Sequence, residues 1–241
     1  VGSVYIVGAG PGDPELITVK GLRLIERADV ILHDRLVSRE LLKAAKPGAL
    51  IIDVGKSPGG VGPSQEEINK MLLSYATSYD IVVRLHGGDP LVFGRGFEEC
   101  KYLVERGIPC EIVPGVTSGL AAPAKYYIPP VLRGVASSVA LVTGREDPSK
   151  GTRQVDFKKL ASAVDTIIIY MGASVAGDVA RELIAGGLSP NTPVAVIKSA
   201  FFPDEEFIVT TLGGLSAVPN PSIIVVGEVV KRGVDLWKRR L

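Results

Sequence analysis

Short, continuous apolar runs constrain this chain most. Residues 3–8, 30–34, 50–54, 81–85 and 111–113 are of strand length, and several lack the in–out alternation of a half-exposed strand. Such runs suit parallel strands covered on both faces. Helical patterns fill the intervals between them. The clearest opens at Ser64, which pairs with Glu67 as a capping box after Pro63, and Ile68, Met71, Leu72 and Tyr75 follow on one face. A βαβα series of this kind predicts an open parallel sheet with right-handed crossovers.

The second half has a different rhythm. Residues 138–143, 166–171 and 193–198 read as strands separated by helices, including 175–184 before Gly186-Gly187. Residues 207–211 and 222–226 follow too closely for a full crossover, so a mixed sheet with antiparallel members is expected. Two α/β domains are therefore expected, 1–114 and 115–241, with the boundary between Pro114 and Ser137. Residues 127–137, with Pro129-Pro130 and Gly134, have the composition of a linker. There is no internal repeat and no low-complexity segment.

With 46% hydrophobic and 22% charged residues, the chain can bury a core, which excludes disorder. No apolar run reaches the roughly 18 residues of a membrane helix. The first strand begins without a basic leader, so no signal peptide is expected. A net charge of +1 gives no reason to expect nucleic acid or a membrane surface as partner. The expectation is a soluble, cytoplasmic protein. Cys100 and Cys110 fit no C-x-x-C spacing, and the histidines are His33 and His86, so no metal site is expected. Two reduced thiols are the favoured reading. A disulfide stays open, because two Gln and three Asn lean toward a thermophilic source.

Two loops stand out chemically. Gly8-Ala9-Gly10-Pro11-Gly12-Asp13 follows the first strand, but Asp13 occupies the third glycine of a dinucleotide fingerprint and Pro11 removes a donor N–H. A ligand other than a dinucleotide fits better, leaving a nicotinamide-dependent oxidoreductase as a weak reading. Residues 84–99 hold four glycines, two arginines and three carboxylates after a buried-type strand, where open α/β sheets bind ligands. His86 is expected to be packed or hydrogen-bonded rather than metal-bound. Asp34-Arg35, Gly55-Lys56 and residues 114–118 follow other strands, so ionisable groups at successive strand ends converge.

These residues resemble the tetrapyrrole methylase superfamily, and within it the uroporphyrinogen-III C-methyltransferases. The resemblance runs end to end, from Gly8-Ala9-Gly10-Pro11-Gly12-Asp13-Pro14 to residues 223–230. Its most specific pieces are Ala28-Asp29-Val30 leading to Asp34-Arg35-Leu36-Val37, Val54-Gly55-Lys56, and residues 84–99. Residues 113–118, Tyr170-Met171-Gly172 and Pro193-Val194-Ala195-Val196 add to it. His86 stands where the family usually has Lys, and Phe97 where it usually has Gly.

The resemblance implies two α/β domains, a homodimer, and S-adenosylmethionine held in the cleft between the domains. The implied reaction methylates two pyrrole carbons of uroporphyrinogen III in succession, giving precorrin-2. By position, the cofactor contacts are Pro11, Gly87, Gly88, Asp89, Val92, Thr117, Ser118, Met171 and Ala200. The implied catalytic groups are Asp34, Lys56 and Arg95, and the implied substrate contacts are Arg35, Glu98, Arg133 and Met171. Arginine suits a polycarboxylate substrate because its guanidinium pairs bidentately with carboxylate. The alternative within the family is a methylase of a later precorrin or cobalt-precorrin. Outside it stands a regulatory module that binds S-adenosylhomocysteine without turnover.

Overall fold

The computed structural model describes residues 1–55, 62–146 and 154–240. The chain divides into two compact units, Val1–Thr117 and Ser118–Leu241.

The first unit is built on β1 (Ser3–Gly8), β2 (Val30–His33), β3 (Leu50–Asp53), β4 (Ile81–His86) and β5 (Cys110–Val113). They form one sheet in the order β3-β2-β4-β1-β5, with every described pairing parallel. Cover on both faces explains the continuous apolar runs of β1, β2 and β4, whereas the run of β3 lies at the sheet edge with Leu50 and Ile51 exposed, contrary to the expectation of burial. On one face, α3 (Gln65–Ser78) and α4 (Gly96–Val104) pack Ile68, Leu72, Ala76 and Leu103 against Val4, Ile6, Leu32 and Val82. On the other, α1 (Val19–Arg27) and α2 (Arg39–Leu42) bring Leu24, Ile25 and Leu41 to Val7, Ile31, Val83 and Leu85. The α3 start forms the capping box that Ser64 and Glu67 announce: Ser64 Oγ accepts from the Glu67 N–H at 3.2 Å, and Glu67 Oε2 accepts from the Ser64 N–H at 2.6 Å.

The second unit is a mixed sheet, as its strand spacing predicts. Its strands are β6 (Val139–Thr143), β7 (Thr166–Tyr170), β8 (Pro193–Lys198), β9 (Glu206–Thr211) and β10 (Ser222–Val226), in the order β6-β7-β10-β8-β9. The β6–β7 pair is parallel, while β10 runs antiparallel to β7 and β8. Helices α6 (Phe157–Ala163) and α7 (Ala176–Ala185) cover one face through Phe157, Ala161, Val179 and Leu183. Helices α5 (Ser118–Lys125) and α8 (Val229–Lys238) complete the unit. Residues 127–137, which read as a linker, lie inside this unit, where Leu132 and Ala136 pair across a tight turn. Proline and glycine there serve a local reversal. No described helix is long and apolar enough to cross a membrane.

The thiols require a correction. Cys100 on α4 and Cys110 at the start of β5 form a disulfide, with Cα atoms 5.6 Å apart. The helix-to-strand return folds the chain back on itself, which spacing alone does not show. Closing a loop of this length contributes about 2–3 kcal/mol in the chain-entropy account. Cys100→Ser should lower unfolding free energy by that amount in denaturant titration, and reductant should then leave the variant unchanged while lowering the stability of the parent chain.

Candidate active site

Because the strands of the first sheet are parallel, their carboxyl ends share one edge. The loops after β1, β2, β4 and β5 and the first residues after β3 all begin there. The switch point lies between β1 and β4, which are neighbours in register with Gly8 opposite His86. From there the chain crosses from β1 toward β2 and from β4 toward β5, opening the crevice in which such sheets bind ligands.

At this point three backbones meet. Gly10 and Gly88 pair across the two loops, the Gly88 N–H donating to the Gly10 carbonyl at 2.7 Å. Gly88 has φ +65°, and a Cβ on Gly8 would lie 2.6 Å from the Gly115 Cα and 2.7 Å from the Gly88 oxygen. These glycines therefore serve close packing of loop on loop. Asp89 ties the same loops together: Oδ1 accepts from the Leu91 N–H at 2.8 Å and Oδ2 from the Gly115 N–H at 3.0 Å. Gly87 differs, because a Cβ there would meet nothing closer than the Leu36 Cβ at 3.8 Å. Asp13, the residue that breaks the dinucleotide fingerprint, caps the short helical turn Pro14–Leu16 through a 2.9 Å bond from the Glu15 N–H.

Behind the edge lies a buried ionic cluster that sequence reading did not assemble. Arg84, in the middle of β4, donates from Nη2 to Asp34 Oδ1 at 2.6 Å and from Nε to Glu99 Oε1 at 3.1 Å. His86 Nε2 pairs with Glu99 Oε2 at 2.7 Å, and its Nδ1 lies 3.5 Å from Asp34 Oδ2. His86 is thus hydrogen-bonded, as expected. Burial works against the charge on Arg84, but the Asp34 and Glu99 carboxylates outweigh it and raise its pKa above the ordinary guanidinium value. Burial also pushes the Glu99 carboxyl upward. The His86 hydrogen bond and the Arg84 charge outweigh that and hold it below 4.5. One signal was available in the sequence: a lone Arg inside an apolar strand must find a buried partner.

The remaining candidates fall in separate places. Pro11 and Thr117 are buried in the first unit, Val92 is half-buried, and Arg35, Arg95 and Glu98 are exposed. Lys56 lies outside the described residues. In the second unit β6, β7 and β8 run the same way, so Met171 after β7 and Ala200 after β8 share one edge of that sheet. Ser118 opens α5, and Arg133 is exposed in the turn that Leu132 and Ala136 close. Of the five non-glycine residues in the left-handed region among the described residues, Phe93 (φ 55°) follows Val92, Met171 (52°) is itself a candidate, Ser199 (46°) and Phe201 (70°) flank Ala200, and Tyr127 (58°) is next to none. Such conformations cost about 1–3 kcal/mol each and concentrate at ligand clamps. Glu205 props the loop around Ala200, accepting from the Phe201 N–H at 2.6 Å and from Lys125 at 2.7 Å, and it also bonds the Tyr126 hydroxyl.

The pattern of the tetrapyrrole (corrin/porphyrin) methylases matches residues 3–216. This chain belongs to that family. Among curated relatives, the uroporphyrinogen-III C-methyltransferase of Bacillus subtilis is 46% identical over 236 residues, covering 95% of this tetrapyrrole methylase and 91% of the relative. A solved structure of uroporphyrin-III C-methyltransferase from Thermus thermophilus, in complex with S-adenosylhomocysteine, superposes with TM-score 0.82 at 40% identity, covering 96% of this chain and 94% of that one. A solved cobalt precorrin-4 methyltransferase superposes with TM-score 0.84 at 34% identity, covering 95% of each chain. The two-sheet architecture of this tetrapyrrole methylase is the one these structures share.

Gly87 is the cleanest probe of the site, since a side chain there is tolerated by the fold. Gly87→Val is expected to weaken S-adenosylhomocysteine binding by about tenfold, equivalent to about 1.4 kcal/mol, with an unchanged melting profile. Calorimetry on the folded variant checks this, and unchanged affinity would remove the loop from the site.

Proposed function

We propose that the chain is an S-adenosylmethionine-dependent uroporphyrinogen-III C-methyltransferase that methylates two pyrrole carbons in succession to give precorrin-2. The carrying observation is end-to-end similarity to enzymes of that name, with the matching residues at the carboxyl ends of strands. The residues present fit the donor. Gly87 leaves open backbone at the switch point, and the strained positions Phe93, Met171, Ser199 and Phe201 flank the assigned contacts.

When bound, S-adenosylmethionine supplies a methyl group already activated on a sulfonium sulfur. The chain contributes binding, orientation and proton handling. Gly87 admits the donor against the backbone, Gly88 holds the loop that presents it, and Asp89 places a carboxylate near its positive charge. Pro11, Val92, Thr117, Ser118, Met171 and Ala200 complete the proposed cofactor set. Arg35, Arg95 and Arg133 have no ion pair among the described residues, so their guanidinium forks are available to substrate carboxylates. Glu98 is an acceptor for pyrrole N–H groups, and Met171 packs on the macrocycle. Asp34 takes the proton that the macrocycle sheds after alkylation, with Lys56 and Arg95 as the other catalytic groups.

Incubating the protein anaerobically with S-adenosylmethionine and either uroporphyrinogen III or cobalt-precorrin-4 tests this reading. The precorrin-2 chromophore from the first substrate is expected. Methylation of the second alone favours the later-step enzyme, and S-adenosylhomocysteine binding without turnover of either favours a regulatory module.

The active form is a homodimer in this reading. Apolar side chains exposed on the outer strands support it: Leu50 and Ile51 on β3, Ile208 and Val209 on β9. Sedimentation should give about twice 25.4 kDa at micromolar concentration, and a stable monomer would contradict it. The cytoplasm is the proposed site of action, since a reducing compartment protects a porphyrinogen from oxidation. A disulfide in such a compartment fits a thermophilic source, as does the scarcity of Asn and Gln.

A further inference from the structure

We propose that Arg84, His86 and Glu99 act together as positioning residues for Asp34, fixing one carboxylate at the edge of the first sheet in a single orientation. The proposal rests on the reading of Asp34 as proton acceptor and extends it to three residues behind it. Each Asp34 oxygen has its own partner, Arg84 Nη2 at 2.6 Å from Oδ1 and His86 Nδ1 at 3.5 Å from Oδ2. Both partners are held from behind by the two oxygens of Glu99, at 3.1 and 2.7 Å. Gln65 Nε2 donates to Glu99 Oε1 at 3.1 Å, and Arg84 Nη1 donates to the Leu85 carbonyl at 3.2 Å. The four side chains close a ring.

Only one member of the ring reaches solvent. The Asp34 side chain is 33% exposed, against 4% for Arg84, 6% for His86 and 0% for Glu99. Stability alone does not account for this arrangement, because well-packed apolar residues in place of a buried ion pair are often neutral or stabilising. What the ring achieves is the delivery of one carboxylate in a fixed pose. A lone aspartate after a strand would sample several rotamers and lose that freedom at each productive encounter. One held at Oδ1 by Arg84, with the His86 ring standing against Oδ2, is set before substrate arrives.

Kinetics and calorimetry on Asp34→Asn, Glu99→Gln, Arg84→Lys and the double variant Asp34→Asn/Glu99→Gln test the proposal. Glu99→Gln keeps the shape but loosens the anchor, and Arg84→Lys keeps the charge but can serve only one carboxylate. Both are expected to lower kcat for uroporphyrinogen III by tenfold or more. KM and S-adenosylhomocysteine affinity should stay within twofold. In the Asp34→Asn background, Glu99→Gln should produce no further loss. If either variant fails to fold, His86→Gln, which leaves the Arg84 and Gln65 bonds to Glu99 in place, carries the same test. Full turnover in Asp34→Asn overturns the reading of Asp34 and this proposal with it. Loss in Asp34→Asn beside parental kcat in Glu99→Gln, or losses that simply multiply in the double variant, overturn the positioning role alone.

Discussion

Arg95→Ala should lose most methyl transfer while folding normally and binding S-adenosylhomocysteine within twofold of the parent chain. Arg95 is exposed, has no ion pair among the described residues, and precedes α4, where its carbonyl accepts the Glu99 N–H at 3.0 Å. Truncation leaves that backbone bond in place, so the side chain can be removed with little effect on the fold. It lies six residues after Asp89, on the same strand-end loop, where a guanidinium fork would meet a substrate carboxylate. Leaving a charged partner unpaired at such a contact costs about 2–5 kcal/mol, or about 30-fold to a few thousandfold in productive binding. Arg133→Ala should act mainly on substrate affinity, with Lys56→Ala between the two. Steady-state methylation beside calorimetry reads the split. Near-parental turnover in Arg95→Ala would remove Arg95 from the reacting centre.

The largest loss of stability is expected for Arg84→Ala. The variant would strand Glu99, whose side chain is fully buried, beside an empty volume in the first sheet. Removing one partner of a buried pair costs about 3–5 kcal/mol. That is a large part of the 5–15 kcal/mol that holds a typical domain together. Surface pairs such as Lys43–Glu40 should behave oppositely and contribute almost nothing. The cluster also sets an acid limit. With the folded Glu99 pKa held below the ordinary 4.5, its contribution is complete above that value and lost as pH falls through the folded one. Denaturant unfolding at neutral pH checks the variant, and a change under 1 kcal/mol would mean that the pair is not buried as described.

Sequence periodicity placed the strands well because burial on both faces forces unbroken apolar runs, and β8 and β10 begin and end where those runs do. The α3 start was equally legible, since a capping box is local chemistry. Long-range pairing was not. Arg84 and Asp34 stand 50 residues apart, and the parallel register of β2 and β4 brings them together; Glu99, 15 residues beyond Arg84, comes to it on α4 as that helix packs back on the sheet. The disulfide escaped for the same reason, because the return from α4 to β5 is a tertiary fact. The glycines after β1, β4 and β5 read as ligand loops. Gly8, Gly88 and Gly115 proved to be where backbones touch each other, leaving Gly87 as the open position. Proline and glycine in residues 127–137 mark a turn within a unit, a distinction that composition cannot make.

A crystal structure with S-adenosylhomocysteine bound would show whether the donor is handled at the carboxyl edge of the first sheet. The ligand is expected against the backbone of Gly87, beside Gly88 and within contact of Asp89, Val92 and Thr117, on the same edge as Asp34. A ligand bound at full occupancy away from Gly87, with that loop untouched, would contradict that placement.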